Sequence, residues 1–221
     1  MSHSNTIAVI FDMNGVICHT NPFHKKAFEV FFDNYEISYS EQEFEQHMYG
    51  KHNSYILSHF FKRTIAGEEL LLLEDEKESL FRSIYKEEVE ALPHFLQFLT
   101  ELKKHKILTG VATSAPRANL DLILEELSIR GKMESLMASE DVKEHKPSPE
   151  VYLTTAQRLG VIPANCLVFE DSFSGVSAAI SAGMKVVGVL STHKKEELPP
   201  CDFYINDYSD ITVGKVIEIL G

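Results

Sequence analysis

Apolar positions along the chain change their period twice. Residues 6–11 (TIAVIF) form a continuous, β-branched run, which predicts a buried strand. Asp12 follows directly, and Asn14-Gly15 marks a turn. From about Pro22 the spacing becomes helical, with Phe23, Ala27, Phe28, Phe31 and Phe32 on one face. Ser40 followed by Glu43 has the spacing of a capping box. Tyr55, Ile56, His59 and Phe60 continue the helical period, and residues 70–85 are rich in Leu, Glu and Lys. No strand is predicted between about His19 and Glu90.

After Pro93 helices and strands alternate. The pattern predicts a helix over 95–104, a strand over 108–113, a helix over 119–127, and a helix capped by Ser148 with Pro149 at its first position, ending near Gly160. A strand over 166–169, a small-residue helix over 174–182 stopped by Gly183, strands over 185–190 and 203–205, and a helix over 212–220 follow. Such alternation implies right-handed crossovers and a parallel sheet covered on both faces. The helical block falls between the first strand and the others. It therefore reads as an insertion, giving a core of residues 1–18 with 91–221 and an all-helical cap of residues 19–90.

Composition narrows the function classes. The 221 residues, 44% hydrophobic, suffice for one core plus a smaller insert. No apolar run approaches the roughly 18 residues a bilayer span needs. The first residues lack the basic-then-apolar pattern of a signal peptide. Cys18, Cys166 and Cys201 have neither metal nor redox spacing. These features predict a cytoplasmic protein with reduced cysteines, and a monomer is expected. The formal net charge of −12 opposes nucleic acid and anionic membrane as partners. It also opposes a phosphorylated ligand unless local cations reverse the field.

Candidate chemistry sits at the predicted strand ends. Asp12-Met13-Asn14-Gly15 ends the first, Thr113-Ser114 the second, and Glu170-Asp171 follows the third; Lys146 precedes a helix. Ligands of open parallel sheets bind outside the carboxyl ends of the strands, so one crevice can gather all of them. Crowded carboxylates raise one another's pKa, and Mg²⁺, a hard cation with oxygen ligands, removes that cost. The metal and Lys146 would supply the positive charge a phosphoryl group needs. Taken singly, each of these residues is an ordinary turn, cap or surface residue; the reading rests on their combination and order.

Four segments resemble the motifs of the haloacid dehalogenase superfamily: residues 11–17 (FDMNGVI), 111–114 (VATS), 146–150 (KPSPE), and 169–172 (FEDS) running into Gly175-Val176. The resemblance covers nearly the whole chain. The insert after the first motif is similar to the cap of the β-phosphoglucomutase-like and phosphatase branch. It implies a Rossmann-like three-layer core and assigns roles. Asp12 becomes nucleophile and metal ligand, residue 14 lends its carbonyl to the metal, Ser114 and Lys146 bind the phosphoryl group, Asp171 binds Mg²⁺, and Glu170 binds or supports it. The family usually carries a second aspartate where this chain has Asn14. That group protonates the leaving oxygen and then activates water, and an amide does neither. Its loss costs about 10²–10⁴-fold in rate. The asparagine reads as a natural weakened variant or as a substitution that traps a bound state; the second is preferred.

The resemblance also places Thr20, His24, Lys51 and Asn53 of the cap near the substrate, with Ala115 beyond Ser114; Arg117, just after Pro116 at a helix entry, is expected to face the crevice and bind a second phosphate. The mutase pattern has an arginine where Asn53 aligns, which argues against a true mutase. Lys51, Arg117, Lys146 and Mg²⁺ would form the local positive cluster that the net charge requires. The expected function is Mg²⁺-dependent phosphoryl transfer through an aspartyl-phosphate, most simply a phosphatase of small phosphorylated metabolites such as sugar phosphates. A β-phosphoglucomutase-like isomerase and a catalytically silent phosphometabolite-binding protein are the alternatives.

Overall fold

A computed structural model describes residues 6–48 and 53–221. The chain packs as two units. Thr20–Glu88 forms one, and the segments ending at His19 and running Val89–Gly221 form the other.

The second unit is a six-stranded sheet in the order β3-β2-β1-β4-β5-β6, parallel throughout. Its strands are β1 Ala8–Phe11, β2 Leu108–Ala112, β3 Ser135–Met137, β4 Cys166–Glu170, β5 Lys185–Val189 and β6 Phe203–Ile205. All four residues of β1 are buried, as a central strand covered on both faces demands. Phe11 stands in register with Val111 of β2 and Phe169 of β4. The order reverses beside β1, so Asp12, Thr113 and Asp171 all leave the sheet around its switch point, where a ligand crevice is expected.

Helices complete the outer layers: α5 Phe95–Lys104, α6 Arg117–Glu126, α7 Glu150–Leu159, α8 Phe173–Ser181 and α9 Val213–Leu220. α5 has no side-chain cap but buries Phe95, Phe98, Leu99 and Leu102. Phe95 and Phe98 pack their rings against Phe11 at 5.3 and 6.5 Å. α8 is built from small residues and is capped by Ser172, whose hydroxyl accepts from Gly175 N at 3.1 Å. Cys18 forms an antiparallel bridge with Ala91, so the chain leaves this unit and returns to it on adjacent positions.

Two differences from the periodicity have physical causes. β3 carries too few residues to show alternation and lies at the sheet edge. α6 starts two residues before its apolar pattern, because the Glu140 carboxylate accepts from Arg117 N with both oxygens at 3.0 Å. That cap comes from 23 residues away.

The helical unit comprises α1 Asn21–Asn34, α2 Glu41–Met48, α3 Asn53–Phe60 and α4 Gly67–Tyr85. Its core is aromatic, with Phe28, Phe31, Phe32, Phe44 and Phe60 buried together. Ser40 accepts from Glu43 N at 3.1 Å, but the Glu43 carboxylate turns to His59 at 3.1 Å. Half of the expected capping box therefore forms. No strand occurs among the described residues of this unit. No helix among the described residues of the chain is long and apolar enough to cross a membrane.

Candidate active site

Lys146 organises the crevice. Its ammonium donates to Asp12 Oδ1 at 2.7 Å, to Glu170 Oε1 at 2.7 Å and to the Ala112 carbonyl at 3.1 Å. It also lies 4.8 Å from the centre of the Tyr152 ring. Three predicted strand ends and one loop thus meet on one buried ammonium, although 134 residues separate Lys146 from Asp12.

Glu170 is saturated by the protein. Its Oε1 accepts from Lys146 and, at 2.9 Å, from the Tyr152 hydroxyl. Its Oε2 accepts from Asp171 N, Ser172 N and the Ser172 hydroxyl at 2.9–3.0 Å. Burial would raise its pKa, but Lys146 and these donors hold it below the ordinary glutamate range. Asp12 behaves oppositely. Burial outweighs Lys146, Glu170 adds repulsion, and its pKa rises to about 6. Asp171 is pushed well above the usual range by burial, then by Glu170 and Asp12. Burial would lower Lys146, yet Asp12 and Glu170 hold it well above its ordinary value, so it stays an ammonium. The pairing is therefore unequal. Glu170 is the settled counter-ion, and Asp12 and Asp171, once ionised, would carry negative charge in excess.

That excess tests whether Mg²⁺ fits. With all three carboxylates ionised beside one ammonium the local charge would be −2; the raised pKa values of Asp12 and Asp171 register that cost, which one divalent cation would remove. Among the described residues no three acidic, histidine or cysteine side chains converge as a ready-made cage. Mg²⁺ does not need one; it takes one or two carboxylates and completes its shell with water and phosphate oxygens. Asp12 and Asp171 suit that role, and Glu170, with both oxygens engaged, suits support through Lys146.

Two glycines make the crowding possible. Gly15, at φ +72°, lies where a Cβ would sit 2.0 Å from Asp171 Oδ2. At Gly175 a Cβ would meet Glu170 Oε1 at 1.7 Å. The turn after Asp12 is closed by Gly15 N to the Cys18 carbonyl at 2.8 Å and Ile17 N to the Met13 carbonyl at 2.8 Å. Within it the Asn14 side-chain oxygen is buried without a hydrogen-bond partner among the described residues. An orphaned buried acceptor costs about 1–3 kcal/mol, which points to a position shaped for a ligand rather than for stability.

Residues 9–189 match the haloacid dehalogenase-like hydrolase family. The chain belongs to that family. A fructose-1-phosphate phosphatase of Escherichia coli is 33% identical over 181 residues, covering 82% of this chain and 95% of that one. A β-phosphoglucomutase of Bacillus subtilis is 28% identical, covering 96% and 94%. Among solved structures, a haloacid dehalogenase hydrolase of family IA, variant 3, from Entamoeba histolytica superposes with a TM-score of 0.90 at 26% identity, covering 97% and 99%.

Not every residue expected in this haloacid dehalogenase-like site is brought to it. Arg117 was expected to face the crevice and bind a second phosphate. Its guanidinium instead pairs with Asp141 and donates to the Leu136 carbonyl at 3.3 Å, so its charge is already matched. Lys51 lies outside the described residues. Ser114 is exposed and Ala115 buried, on the loop where Thr113 accepts from Ala115 N at 3.1 Å. In the helical unit the Thr20 hydroxyl is buried with no partner among the described residues. His24 stacks on Phe81 at 3.8 Å and meets Lys77 Nζ at 3.1 Å through Nδ1. Lys77 pairs with Glu78 at 2.6 Å, and Asn53 donates to the same Glu78 oxygen at 3.3 Å.

The sequence pattern does not show Tyr152, which donates to Glu170, or the buried Lys77–Glu78 pair of the helical unit. Tyr152 follows the Lys146 motif on the inner face of α7, which was a usable signal. Lys77 and Glu78 are buried within a helix whose composition reads as a solvated face, so the pattern pointed away from them.

Proposed function

We propose that this chain is a phosphohydrolase of small phosphorylated metabolites, of the sugar-phosphate class, with Asp12 as nucleophile and with the helical unit as its cap. The observation that carries the proposal is the buried Lys146 bridging Asp12 and Glu170, with Asp171 beside the Gly15 turn. That arrangement supports a nucleophile reading through a carboxylate held at one oxygen and a fixed positive charge, and Asp171 offers a second carboxylate that a divalent cation would use. The sugar-phosphate class follows from the relatives that span most of the chain.

Asp12, Asp171 and the carbonyl of residue 14 would hold the Mg²⁺, which supplies positive charge that offsets the charge on a phosphoryl group when bound. Lys146 fixes Asp12 and, remaining protonated, neutralises phosphoryl oxygens without transferring a proton. Asp12 attacks phosphorus; its oxygen–phosphorus bond forms as the ester P–O bond breaks, giving an aspartyl-phosphate and an alkoxide that needs a proton. Water then attacks that phosphorus as the Asp12 O–P bond breaks, releasing inorganic phosphate and restoring the Asp12 carboxylate; with Asn14 in place, the alkoxide takes its proton from solvent and the attacking water gives its proton to solvent. Asn14 can neither donate the first proton nor accept the second. Turnover is therefore slower than for an aspartate at that position by about 10²–10⁴-fold.

Asn14→Asp, screened against sugar phosphates, tests this reading. Free phosphate supports it, and isomerised sugar would transfer it to a mutase. The Asn53–Glu78 contact counts against the mutase, because the position that should hold a distal phosphate carries an amide already engaged. Binding without turnover would make the chain a sensor. Asp12→Asn should remove any covalent phosphoryl adduct seen by intact mass; an adduct that persists would take Asp12 out of the mechanism.

A further inference from the structure

The loops after β5 and β6 reach back over the turn that follows Asp12. The Ser191 hydroxyl donates to the Gly15 carbonyl. The buried Tyr208 hydroxyl donates to the Val16 carbonyl at 3.0 Å. Thr192 hydrogen-bonds the Asp171 side chain through its own. These contacts converge on Gly15, where a Cβ would lie 2.0 Å from Asp171 Oδ2 and 2.8 Å from Thr192 Oγ1. None of the three hydroxyls lies in a segment that resembles a family motif.

Thr192 is poorly explained as a packing residue. It is exposed, and a surface hydroxyl contributes little to a core. Its acceptor is a buried carboxylate that makes no salt bridge among the described residues. A carboxylate on a short side chain turns about its last torsion, which is broad and weakly staggered. A donor beside it selects a single orientation, with Oδ2 against Gly15 of the Asp12 turn.

We propose that Thr192 is a positioning residue: with Ser191 clamping Gly15, its hydroxyl orients Asp171 toward the Asp12 turn and sets the affinity of the crevice for a divalent cation. The inference rests on the reading of Asp12 and Asp171 as the metal carboxylates. Groups that orient metal ligands typically change affinity by about 10–100-fold. An exposed hydroxyl competes with water, so the lower end, about tenfold, is expected here.

The test is calorimetric titration of MgCl₂, and Mn²⁺ binding by electron paramagnetic resonance, on the full chain with Asn14 in place and no substrate. Thr192→Val should weaken both by about tenfold. Thr192→Ser should restore binding, and Ser191→Ala should fall between. Thermal melting checks that the variants are folded, which the exposure of Thr192 favours. If the parent binds Mg²⁺ and Thr192→Val binds it equally, this inference fails and the proposed function stands. If Thr192→Ser is as weak as Thr192→Val, packing is responsible and the inference fails likewise. If the parent binds neither ion, the metal reading itself fails and takes the inference with it.

Discussion

Lys146→Met removes the buried ammonium while keeping most of the stem volume. Each 2.7 Å contact represents about 6 kcal/mol of Coulomb attraction at an effective dielectric of about 20. Most of that offsets desolvation, and breaking a buried pair typically costs about 3–5 kcal/mol. Two features lower the figure. Glu170 keeps the Tyr152 hydroxyl, the Ser172 hydroxyl and two backbone N–H donors. Asp12, already at about 6, escapes by taking a proton, at about 1.4 kcal/mol or less at pH 7. The expected loss is therefore about 3 kcal/mol at pH 7.5. Its pH dependence is diagnostic. A carboxylic acid whose folded pKa is raised contributes stability below its unfolded pKa of 3.8, and that stability is lost as pH rises through the folded value. Near pH 5.5 Asp12 is largely neutral in the parent, so less attraction is left to lose, and the deficit should shrink by about 1 kcal/mol. Urea unfolding of parent and variant at pH 7.5 and 5.5 gives both numbers, and titrations elsewhere in the fold cancel in the difference. An unchanged midpoint, or one deficit at both pH values, would refute the reasoning that Lys146 compensates a surplus carboxylate.

Gly175→Ala should destabilise by about 2 kcal/mol or more even though alanine is the better helix former by about 1 kcal/mol, because its Cβ must displace the Glu170 carboxylate; a stabilised variant in a thermal melt would show that Glu170 is not packed there. His24 has a pKa lowered to about 3, by burial and then by Lys77. A histidine depressed in the fold contributes stability above its unfolded pKa of about 6.5 that is lost as pH falls, so the helical unit should lose up to about 2 kcal/mol between pH 7 and pH 5. Ring proton chemical shifts should keep His24 neutral at pH 5, and titration near 6.5 would contradict its placement. Arg117→Met should lower stability by about 1 kcal/mol or less, its partner Asp141 being part-exposed, and leave the KM for sugar phosphates unchanged in the Asn14→Asp background. A large rise in KM would return Arg117 to the substrate.

The unequal pairing around Lys146 links the fold to the chemistry. A carboxylate with a complete set of donors, such as Glu170, is a poor nucleophile and a stable anchor. Asp12 is the less satisfied of the two, which is what the proposed nucleophile and metal ligand requires. Crowding three carboxylates against the ends of β1 and β4 thus costs stability in the free chain, as functional sites commonly do. Gly15 and Gly175 let the carboxylates approach that closely.

Much of this was legible in the chain itself. A buried β-branched run followed by Asp12, a helical period from Pro22 onward, and strands alternating with helices after Pro93 are local patterns, and local patterns determine element type and the parallel sheet they imply. The strand-end residues Asp12, Lys146, Glu170 and Asp171 were legible for the same reason, since motif order and strand position survive in one dimension. Tertiary structure decided how charges are shared, because pairing depends on distances that sequence separation does not encode. Arg117, three residues after Ser114 in sequence, is neutralised by Asp141, 24 residues on. Glu170 is claimed by Lys146 and Tyr152 rather than left open. Ser191 and Thr192 meet Gly15 and Asp171 because β5 lies beside β4. The edge strand β3 was too short to carry a period, and only its pairing with β2 made it a strand.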